Sequence, residues 1–219
     1  MRPGGRRLYA HRMTLRKTLF AAMCDRMTRT SDEAGVRTLR RRLLADAVGN
    51  VLEIGAGTGI NLPHYDGNVA SLVVTEPEPA MLRRLQRNVR EQAPLARVLR
   101  APAEDLPFED DTFDTVVSTL VLCGVDDQER ALREARRVLR PGGRLLFLGH
   151  VRSDDPAVAR LQDRMNWLNR LVVHCDCNRP TLTTIERTGF HVSHLERTTL
   201  PKAPKFAQPL IVGAATTSV

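Results

Sequence analysis

Short apolar runs alternate along the chain with segments whose apolar residues recur at helical spacing. Continuous apolar runs are typical of strands buried on both faces, whereas apolar residues three and four positions apart indicate one face of a helix. Strands that alternate with helices predict an α/β fold with a parallel sheet. On this basis we expect strands at 51–54, 71–75, 96–99, 113–120 and 144–148, and helices at 79–92 and 127–139.

The pattern changes after residue 150. Helical spacing is present at 156–173 and 181–188, and two strand patterns, 190–199 and 210–216, then follow without a helix between them. Two consecutive strands of this kind predict an antiparallel hairpin at the edge of the sheet. Residues 1–44 contain no strand pattern and are mainly helical by spacing.

The helix predicted at 127–139 has recognisable ends. It begins at an acidic pair, Asp126 and Asp127, which can cap its first turn. It stops before Pro141-Gly142-Gly143, and this combination is a stop-and-turn signal. We therefore expect a turn between this helix and the strand at 144–148.

The chain length and composition fit one ordinary globular domain. The chain has 219 residues, of which 42% are hydrophobic and 26% charged. No apolar run approaches the roughly 18 residues of a transmembrane helix, and the N-terminus lacks the apolar core of a signal peptide. The cytoplasm is the expected compartment.

The positive charge lies at the N-terminal end. The net charge is +8, and residues 1–44 hold 12 basic and 3 acidic residues, which leaves the rest of the chain at −1. Arg40-Arg41-Arg42 is most simply a solvated helix face. A basic amphipathic head also suits an anionic membrane surface, so peripheral membrane contact through this end is an open alternative.

The four cysteines do not predict a disulfide framework or a metal site. They are Cys24, Cys123, Cys175 and Cys177, and only the last two are close in sequence. A C-x-C pair without a second cysteine pair does not match the spacing of zinc sites. We therefore expect no bound metal.

A glycine-rich loop follows the first predicted strand, where an open α/β sheet binds its ligand. The sequence from Glu53 is Glu-Ile-Gly-Ala-Gly-Thr-Gly, so its glycine spacing is G-x-G-x-G. Dinucleotide-binding proteins have G-x-G-x-x-G instead. An acid two residues before Gly55 favours a cationic group over a pyrophosphate, and the glycines allow the backbone to approach it closely.

Glu76 follows the second predicted strand, 21 residues after Gly55. An acid at this place accepts hydrogen bonds from ribose hydroxyls. The simpler alternative is a surface acid in the Glu-Pro-Glu-Pro turn. A ligand that combines an ammonium, a sulfonium and a ribose without a phosphate is S-adenosylmethionine.

Four motifs in order give the chain a family resemblance. The segments VLEIGAGTGINL, VVTEPEPAML, APAEDLPFEDDTFDTVVSTLVL and EARRVLRPGGRLLFL resemble the motifs of class I S-adenosylmethionine-dependent methyltransferases, in particular the UbiE-like branch. The match covers about residues 46–150. The segment from Ser118 to Val151, followed by CDCNR, is also similar to small-molecule alkyl thiol methyltransferases, although Pro102 and Gly149 replace an Asp and a Glu found in many relatives.

The resemblance implies a Rossmann-like fold: a mostly parallel seven-stranded sheet with an antiparallel C-terminal hairpin and N-terminal helices. It divides the single domain into a basic N-terminal cap (1–44), a cofactor-binding core (46–150) and substrate-side helices with the hairpin (151–219). S-adenosylmethionine would be the donor and S-adenosylhomocysteine the product. The residues that the resemblance assigns to the cofactor are Glu53, Gly55, Gly57, Gly59, Asn61, Glu76, Pro77, Met81, Ala103, Glu104, Thr119 and Leu120.

Few residues are candidates for the chemistry itself. Methyl transfer requires alignment, and a general base is needed only when the acceptor arrives protonated. His150, after the fifth predicted strand, is the candidate base; the alternative is a histidine that orders a turn. Substrate contact is predicted for Cys175, Arg179 and Trp167. The alternatives are that Cys175 and Arg179 lie in a loop whose arginine pairs with a local acid, and that Trp167 packs in the core.

These observations leave four function classes. The first is an enzyme that methylates a small-molecule thiol, phenol, amine or activated carbon. The second is a phospholipid or quinone methyltransferase at a membrane surface, and the third is a non-catalytic S-adenosylmethionine-binding protein. A nucleic-acid methyltransferase is disfavoured, because aromatic residues amount to only 4% and no RNA-binding module is apparent.

Overall fold

The structure, a computed structural model, describes residues 30–217. Its strands are β1 (Gly49–Ile54), β2 (Val69–Thr75), β3 (Arg97–Leu99), β4 (Phe113–Thr119), β5 (Leu139–His150), β6 (His191–Thr199) and β7 (Pro209–Thr216). Its α-helices are α1 (Arg37–Leu44), α2 (Pro79–Gln92), α3 (Gln128–Val138), α4 (Pro156–Val173) and α5 (Thr181–Arg187). A π-helical turn precedes α1, and two short 3₁₀ turns complete the elements, at Asp32–Val36, Leu62–His64 and Lys205–Ala207.

The seven strands of the described residues form one sheet in the order β3-β2-β1-β4-β5-β7-β6. Strands β1 to β5 pair in parallel, and β7 is antiparallel to both β5 and β6. The predicted α/β class and C-terminal hairpin are therefore confirmed. The hairpin does not simply extend the edge, however, because the last strand lies between β5 and β6.

Helices cover both faces of the sheet, which explains the continuous apolar runs. Successive residues of β5 point to opposite sides. Leu145 and Phe147 pack with α3 and α5, whereas Leu146 and Leu148 pack with α1 and α2. Each face thus has its own apolar layer, and the sheet lies between them.

Both ends of α3 agree with their sequence signals, because the helix ends at Val138, but the segment that follows it differs. The Asp127 carboxylate accepts a hydrogen bond from the Arg130 N–H at 2.9 Å, as a capping residue does. The expected turn at Pro141-Gly142-Gly143 is wrong as a separate element, because β5 already begins at Leu139. Leu139 pairs with Phe113 and Arg144 with Thr115, so the extra residues form a bulge in which Gly142 has φ +73°.

The described part of the N-terminal segment is helical, as expected, while residues 1–29 lie outside the described range. Leu43 and Leu44 of α1 are buried against the sheet. In residues 30–217, no helix is both long and apolar enough to cross a membrane.

Candidate cofactor and acceptor site

The candidate site lies at the carboxyl edge of the parallel strands. Strand β1 has β2 on one side and β4 on the other, so the direction of strand order reverses beside β1. A crevice at such a reversal is where open α/β sheets bind ligands. The predicted cofactor residues after β1, β2 and β4 meet at this edge for that reason.

The glycine loop after β1 has the backbone that its sequence suggests. Gly55 and Gly57 both have φ +61°, a conformation in which other residues are strained. A Cβ on Gly55 would lie 2.7 Å from the methyl groups of Val121. A Cβ on Gly57 would have no heavy atom within 4 Å, so the loop leaves open space where a ligand can approach its backbone.

Glu76, directly after β2, is held against this loop. One carboxylate oxygen accepts a hydrogen bond from the Gly57 N–H at 2.9 Å, and the other accepts one from the Glu78 N–H at 2.9 Å. Burial raises the pKa of Glu76, and these two backbone hydrogen bonds oppose the rise. The carboxylate keeps unused lone pairs for further donors such as ribose hydroxyls.

A buried polar network supports the other side of the loop. The Arg40 guanidinium, only 1% exposed, donates to Asp32 at 3.2 Å, to the Asn61 side-chain oxygen at 2.8 Å and to the Thr119 hydroxyl at 2.9 Å. Asn61 donates in turn to Thr119 at 2.9 Å and to Glu53 at 2.9 Å. The network joins the N-terminal helical segment to the ends of β1 and β4.

Glu53 is an internal member of this network. Its carboxylate is 1% exposed, and its second oxygen accepts a hydrogen bond from the Tyr65 hydroxyl at 2.7 Å. Burial raises the pKa of Glu53 and raises that of Tyr65 well above its usual value, so the phenol keeps the proton that it donates. Both carboxylate oxygens therefore already accept hydrogen bonds from side chains of this chain.

The expectation that 40–42 is a solvated helix face is wrong for Arg40. Arg41 and Arg42 are exposed, but Arg40 faces the sheet. Burial lowers the pKa of Arg40, while the charges of Asp32 and Glu53 oppose that change. A buried arginine is retained when carboxylates and hydrogen-bond acceptors surround it, and these come from distant parts of the chain.

The remaining predicted cofactor residues have mixed settings. Ala103 is buried, and the Glu104 carboxylate accepts hydrogen bonds from the N–H groups of Asp126 and Asp127 before α3. Leu120 has φ +59° and is half-buried. Pro77 is exposed and Met81 half-buried.

His150, at the end of β5, lies among thiols. Its Nδ1 is 3.5 Å from the Cys123 sulfur and 3.3 Å from the Cys175 sulfur. Its Nε2 is buried and has no hydrogen-bond partner among the described residues. Burial acts to lower the pKa of His150, but the hydrogen bond with Cys123 and the charges of the neighbouring cysteines raise it to about 9.

The predicted substrate residues are spread over α4 and the loop after it. Arg179 donates to the Asp176 carboxylate at 2.7 Å, so it pairs with a local acid, as one of the two interpretations expects. Cys175 is buried beside His150. Trp167 is 68% exposed, and the alternative of core packing is therefore wrong for it.

Sequence reasoning missed four members of these clusters: Asp32, Arg40, Tyr65 and Cys123. Arg40 stands among other arginines and Tyr65 in an irregular segment, so neither has a local signal. Cys123 could have been found, because it follows β4 just as His150 ends β5. Neighbouring parallel strands bring their carboxyl ends to the same edge.

Comparisons with known proteins show the family to which this chain is similar. A family model described as "Methyltransferase domain" matches residues 52–147. A phosphatidylethanolamine N-methyltransferase of Cereibacter sphaeroides is 32% identical over 149 residues, which are 64% of this chain and 73% of that protein. The human thiol S-methyltransferase TMT1A is 32% identical over 181 residues, which are 76% of this chain and 70% of that protein.

Two further comparisons concern the UbiE-like branch and the fold. The ubiquinone/menaquinone biosynthesis C-methyltransferase UbiE of Idiomarina loihiensis is 35% identical over 52% of this chain and 49% of that protein. The solved structure of the N-methyltransferase NodS from Bradyrhizobium japonicum WM9 aligns with 85% of this chain and 97% of its own at a TM-score of 0.64. Its sequence identity is 17%, so this similarity concerns the fold.

The sheet order defines a Rossmann-like α/β protein, and the open glycine loop and the acid after β2 lie together at the carboxyl edge of its parallel strands. Together with its relatives, they place the chain more closely. It belongs to the class I S-adenosylmethionine-dependent methyltransferases. Its methyl donor is S-adenosylmethionine, which leaves as S-adenosylhomocysteine.

Proposed function

We propose that the acceptor is a small-molecule thiol, methylated on sulfur. The similarity to thiol S-methyltransferases carries this proposal, because TMT1A and TMT1B of Homo sapiens match 76% and 78% of the chain at 32% and 33% identity. A thiol ionises near pH 8.5 and a phenol near pH 10, so a thiol requires the least help from the protein.

The carboxyl edge fits the donor. We assign the methionine end of S-adenosylmethionine to the loop with Gly55, Gly57 and Gly59, and its ribose to Glu76. The open space at Gly57 and the hydrogen bonds that fix Glu76 support this assignment. When bound, the donor supplies a sulfonium methyl group for an in-line displacement, and the task of the protein is to align the acceptor and exclude water.

The other predicted cofactor residues receive direct or indirect roles. Ala103 and Glu104 are proposed at the adenine edge, Pro77 and Met81 beside the adenine, and Leu120 over the methionine moiety. Glu53, Asn61 and Thr119 would act together, because their side chains already hydrogen-bond to one another and to Arg40. In this arrangement Glu53 and Arg40 position the loop.

The acceptor side is proposed in the C-terminal segment, where Cys175, Arg179 and Trp167 are the predicted contacts. The role of His150 as a base stays a prediction for acceptors that arrive protonated. His150→Gln tests it: loss of a base would lower kcat with phenols by about 10²-fold or more, with a much smaller effect on thiols. Equal losses with both acceptors would assign His150 a structural role instead.

One observation favours a second candidate, a phospholipid methyltransferase at a membrane surface. Helix α4 exposes a row of large apolar side chains: Leu161, Trp167, Leu168, Leu171 and Val172. An apolar helix face of this kind suits the interface of a bilayer. The Cereibacter sphaeroides relative is named for a phospholipid acceptor.

One experiment distinguishes the candidates. S-adenosylhomocysteine formation is measured for the full chain with alkyl thiols, phenols, amines, quinones, phosphatidylethanolamine vesicles and total RNA. We expect turnover with thiols and none with RNA. Turnover only with vesicles, lost in Trp167→Ser/Leu171→Ser, would replace the thiol proposal by the phospholipid one. Donor binding without turnover on any acceptor would favour the non-catalytic alternative.

The cytoplasm stays the predicted compartment, and peripheral membrane contact through the basic segment 1–44 stays an open alternative. Vesicle co-sedimentation of the full chain tests that contact. Salt should weaken it if charge carries it, because screening shortens the range of attraction to anionic lipids.

A further inference from the structure

Three sulfur atoms and one imidazole meet at the carboxyl ends of β4 and β5. They belong to Cys123 after β4, His150 at the end of β5, and Cys175 and Cys177 in the loop after α4. All four residues are buried, and the cysteines are free thiols. The donor atoms of Cys123, His150 and Cys175 lie within 4.8 Å of one another.

The distances among Cys123, His150 and Cys175 agree with the edges of a tetrahedral metal site, whereas the Cys177 sulfur lies farther away from at least one of these three donor atoms. Around zinc, with bonds of about 2.3 Å to sulfur and about 2.0 Å to nitrogen, two sulfurs lie about 3.7 Å apart and a sulfur and a nitrogen about 3.5 Å apart. The distances from His150 Nδ1 to the sulfurs of Cys123 and Cys175 are 3.5 and 3.3 Å. The sulfurs of Cys175 and Cys177 are 3.9 Å apart.

The surroundings favour a soft divalent cation at this place. Asn169 donates a hydrogen bond to the Cys177 sulfur at 3.0 Å and to the Cys175 carbonyl at 2.6 Å, as groups around a ligating thiolate do. The other walls are apolar, from Val173, Ala203, Phe206 and Ala207. The Asp176 carboxylate is engaged by Arg179 and Asn166 instead. Thiolate and imidazole donors select zinc over magnesium or calcium.

We propose that Cys123, His150 and Cys175 bind one zinc ion and that Cys177, whose sulfur is 3.9 Å from that of Cys175, completes the set as the fourth ligand after a shift of the C-x-C loop. Each thiol that binds releases its proton to solvent, and His150 binds through Nδ1 as a neutral imidazole. The ion ties the loop after α4 to the carboxyl ends of β4 and β5, which fixes one wall of the acceptor side. A zinc-bound His150 has no free lone pair, because Nε2 then carries the ring proton, so metal binding and base catalysis by His150 exclude each other.

The sequence expectation of no metal rested on spacing alone. The C-x-C pair supplies only half of the proposed ligands. The other two, His150 and Cys123, lie at strand ends 27 and 54 residues before Cys177. Zinc sites with regular spacing are local in sequence, whereas this one depends on strand order.

The test is metal analysis of the full chain, expressed with zinc and purified under reducing conditions without chelator. We expect about one zinc per chain and, after cobalt exchange, thiolate-to-cobalt charge-transfer absorption. Cys175→Ser and His150→Ala should weaken zinc binding about tenfold or more. His150→Cys should retain the metal, because it supplies another thiolate. Cys24→Ser, which removes a cysteine of the undescribed segment, is the control and should keep full zinc content.

Several outcomes would overturn the proposal. They are a reduced wild-type chain that takes up neither zinc nor cobalt, a zinc affinity of Cys175→Ser equal to that of the wild type, and a Cys175–Cys177 disulfide found by mass spectrometry under the same reducing conditions. If a variant does not fold, competition of the wild-type chain with a chromophoric zinc chelator still decides the matter. None of these measurements depends on the identity of the methyl acceptor, so a failure of the thiol proposal leaves the zinc test intact.

Discussion

At the scale of single residues, the most consequential side chain is that of Arg40, which has no local signal in the sequence. Arg40 connects Asp32, Asn61 and Thr119, and through Asn61 it supports Glu53. Charged side chains are seldom fully buried unless they are paired, and this one has both a carboxylate and neutral acceptors. The cofactor loop therefore depends on a helix that lies outside the four sequence motifs of the core.

Arg40→Met should destabilise the protein by about 3–5 kcal/mol, because it leaves a buried carboxylate and two buried polar groups short of a partner. Urea unfolding measures this loss. Arg41→Met, at the exposed neighbouring position, is the matched control and should change stability by about 0.5 kcal/mol or less. Equal effects of the two variants would show that the Arg40 network contributes nothing to stability.

Glu76→Gln should weaken S-adenosylmethionine binding about tenfold or more, since hydrogen bonds to a charged group contribute about 1.5–3 kcal/mol. Burial raises the pKa of Glu76, so acidification removes the charged acceptor at a higher pH than for an ordinary glutamate near 4.3. Wild-type affinity should therefore fall as the pH decreases, and the Gln variant should show a flatter profile. Calorimetry measures both.

Glu78→Gln is the comparison for that experiment, because Glu78 contributes its backbone N–H to the Glu76 carboxylate and this N–H remains. We expect its affinity to stay near that of the wild type. Unchanged affinity in Glu76→Gln would exclude Glu76 as the ribose ligand.

At the scale of elements, α3 holds the segment that carries Ala103 and Glu104. Arg137 donates to the carbonyls of Leu106 at 3.0 Å and Phe108 at 2.7 Å, and Glu134 accepts from the Leu106 N–H at 2.9 Å. The hydrogen bond with Arg137 lowers the pKa of Glu134. Helix and loop are thus joined by hydrogen bonds between the Arg137–Glu134 pair of α3 and backbone groups of the loop, and by an ion pair between Arg137 and Asp110.

Arg137→Met should lower the free energy of unfolding by about 1–3 kcal/mol at neutral pH, because the Leu106 and Phe108 carbonyls lose a charged donor. The pKa of Glu134 is lower in the folded state than in the unfolded state, where it is near 4.3, so its charge stabilises the folded state at pH values above about 4.3. This contribution is lost as the pH falls through the folded-state pKa. The difference from wild type should therefore be smaller at an acidic pH, below the unfolded value near 4.3, than at neutral pH. Urea titrations at the two pH values measure it.

Arg133→Met provides the control on the same helix. Arg133 forms an exposed ion pair with Glu129, and such pairs contribute little. A loss in Arg133→Met as large as that in Arg137→Met would mean that helix charge, and not the contact with the loop, explains the effect.

At the scale of the whole molecule, cofactor binding and folding are linked. A ligand that binds only the folded state stabilises it by about 2.7 kcal/mol when present at 100 times its Kd. S-adenosylhomocysteine at that concentration should raise Tm by roughly 5–10 °C for a chain of this size. A thermal-shift measurement checks this.

NAD is the comparison ligand, because the G-x-G-x-G loop lacks the spacing of dinucleotide-binding proteins. We expect it to leave Tm unchanged. The same shift with both ligands, or a shift with NAD alone, would contradict the assignment of the loop.

The sequence by itself determined the elements and the class of cofactor. Strand and helix periodicity, the cap at Asp127, the glycines after β1 and the acid after β2 are local signals, since each depends on residues close in the chain. They predict the α/β class and the position of Gly57 and Glu76 at one edge, which the structure shows.

The tertiary structure alone decided which distant residues meet. In the structure β7 lies between β5 and β6, Arg40 is buried whereas Arg41 is exposed, and Trp167 is exposed. Cys123 and His150 lie beside the C-x-C pair. The physical reason is that burial and coordination depend on contacts between elements, and these follow from strand order. A pattern of residue types along the chain can bring strand ends to one edge, but it does not specify which side chains of distant elements come into contact.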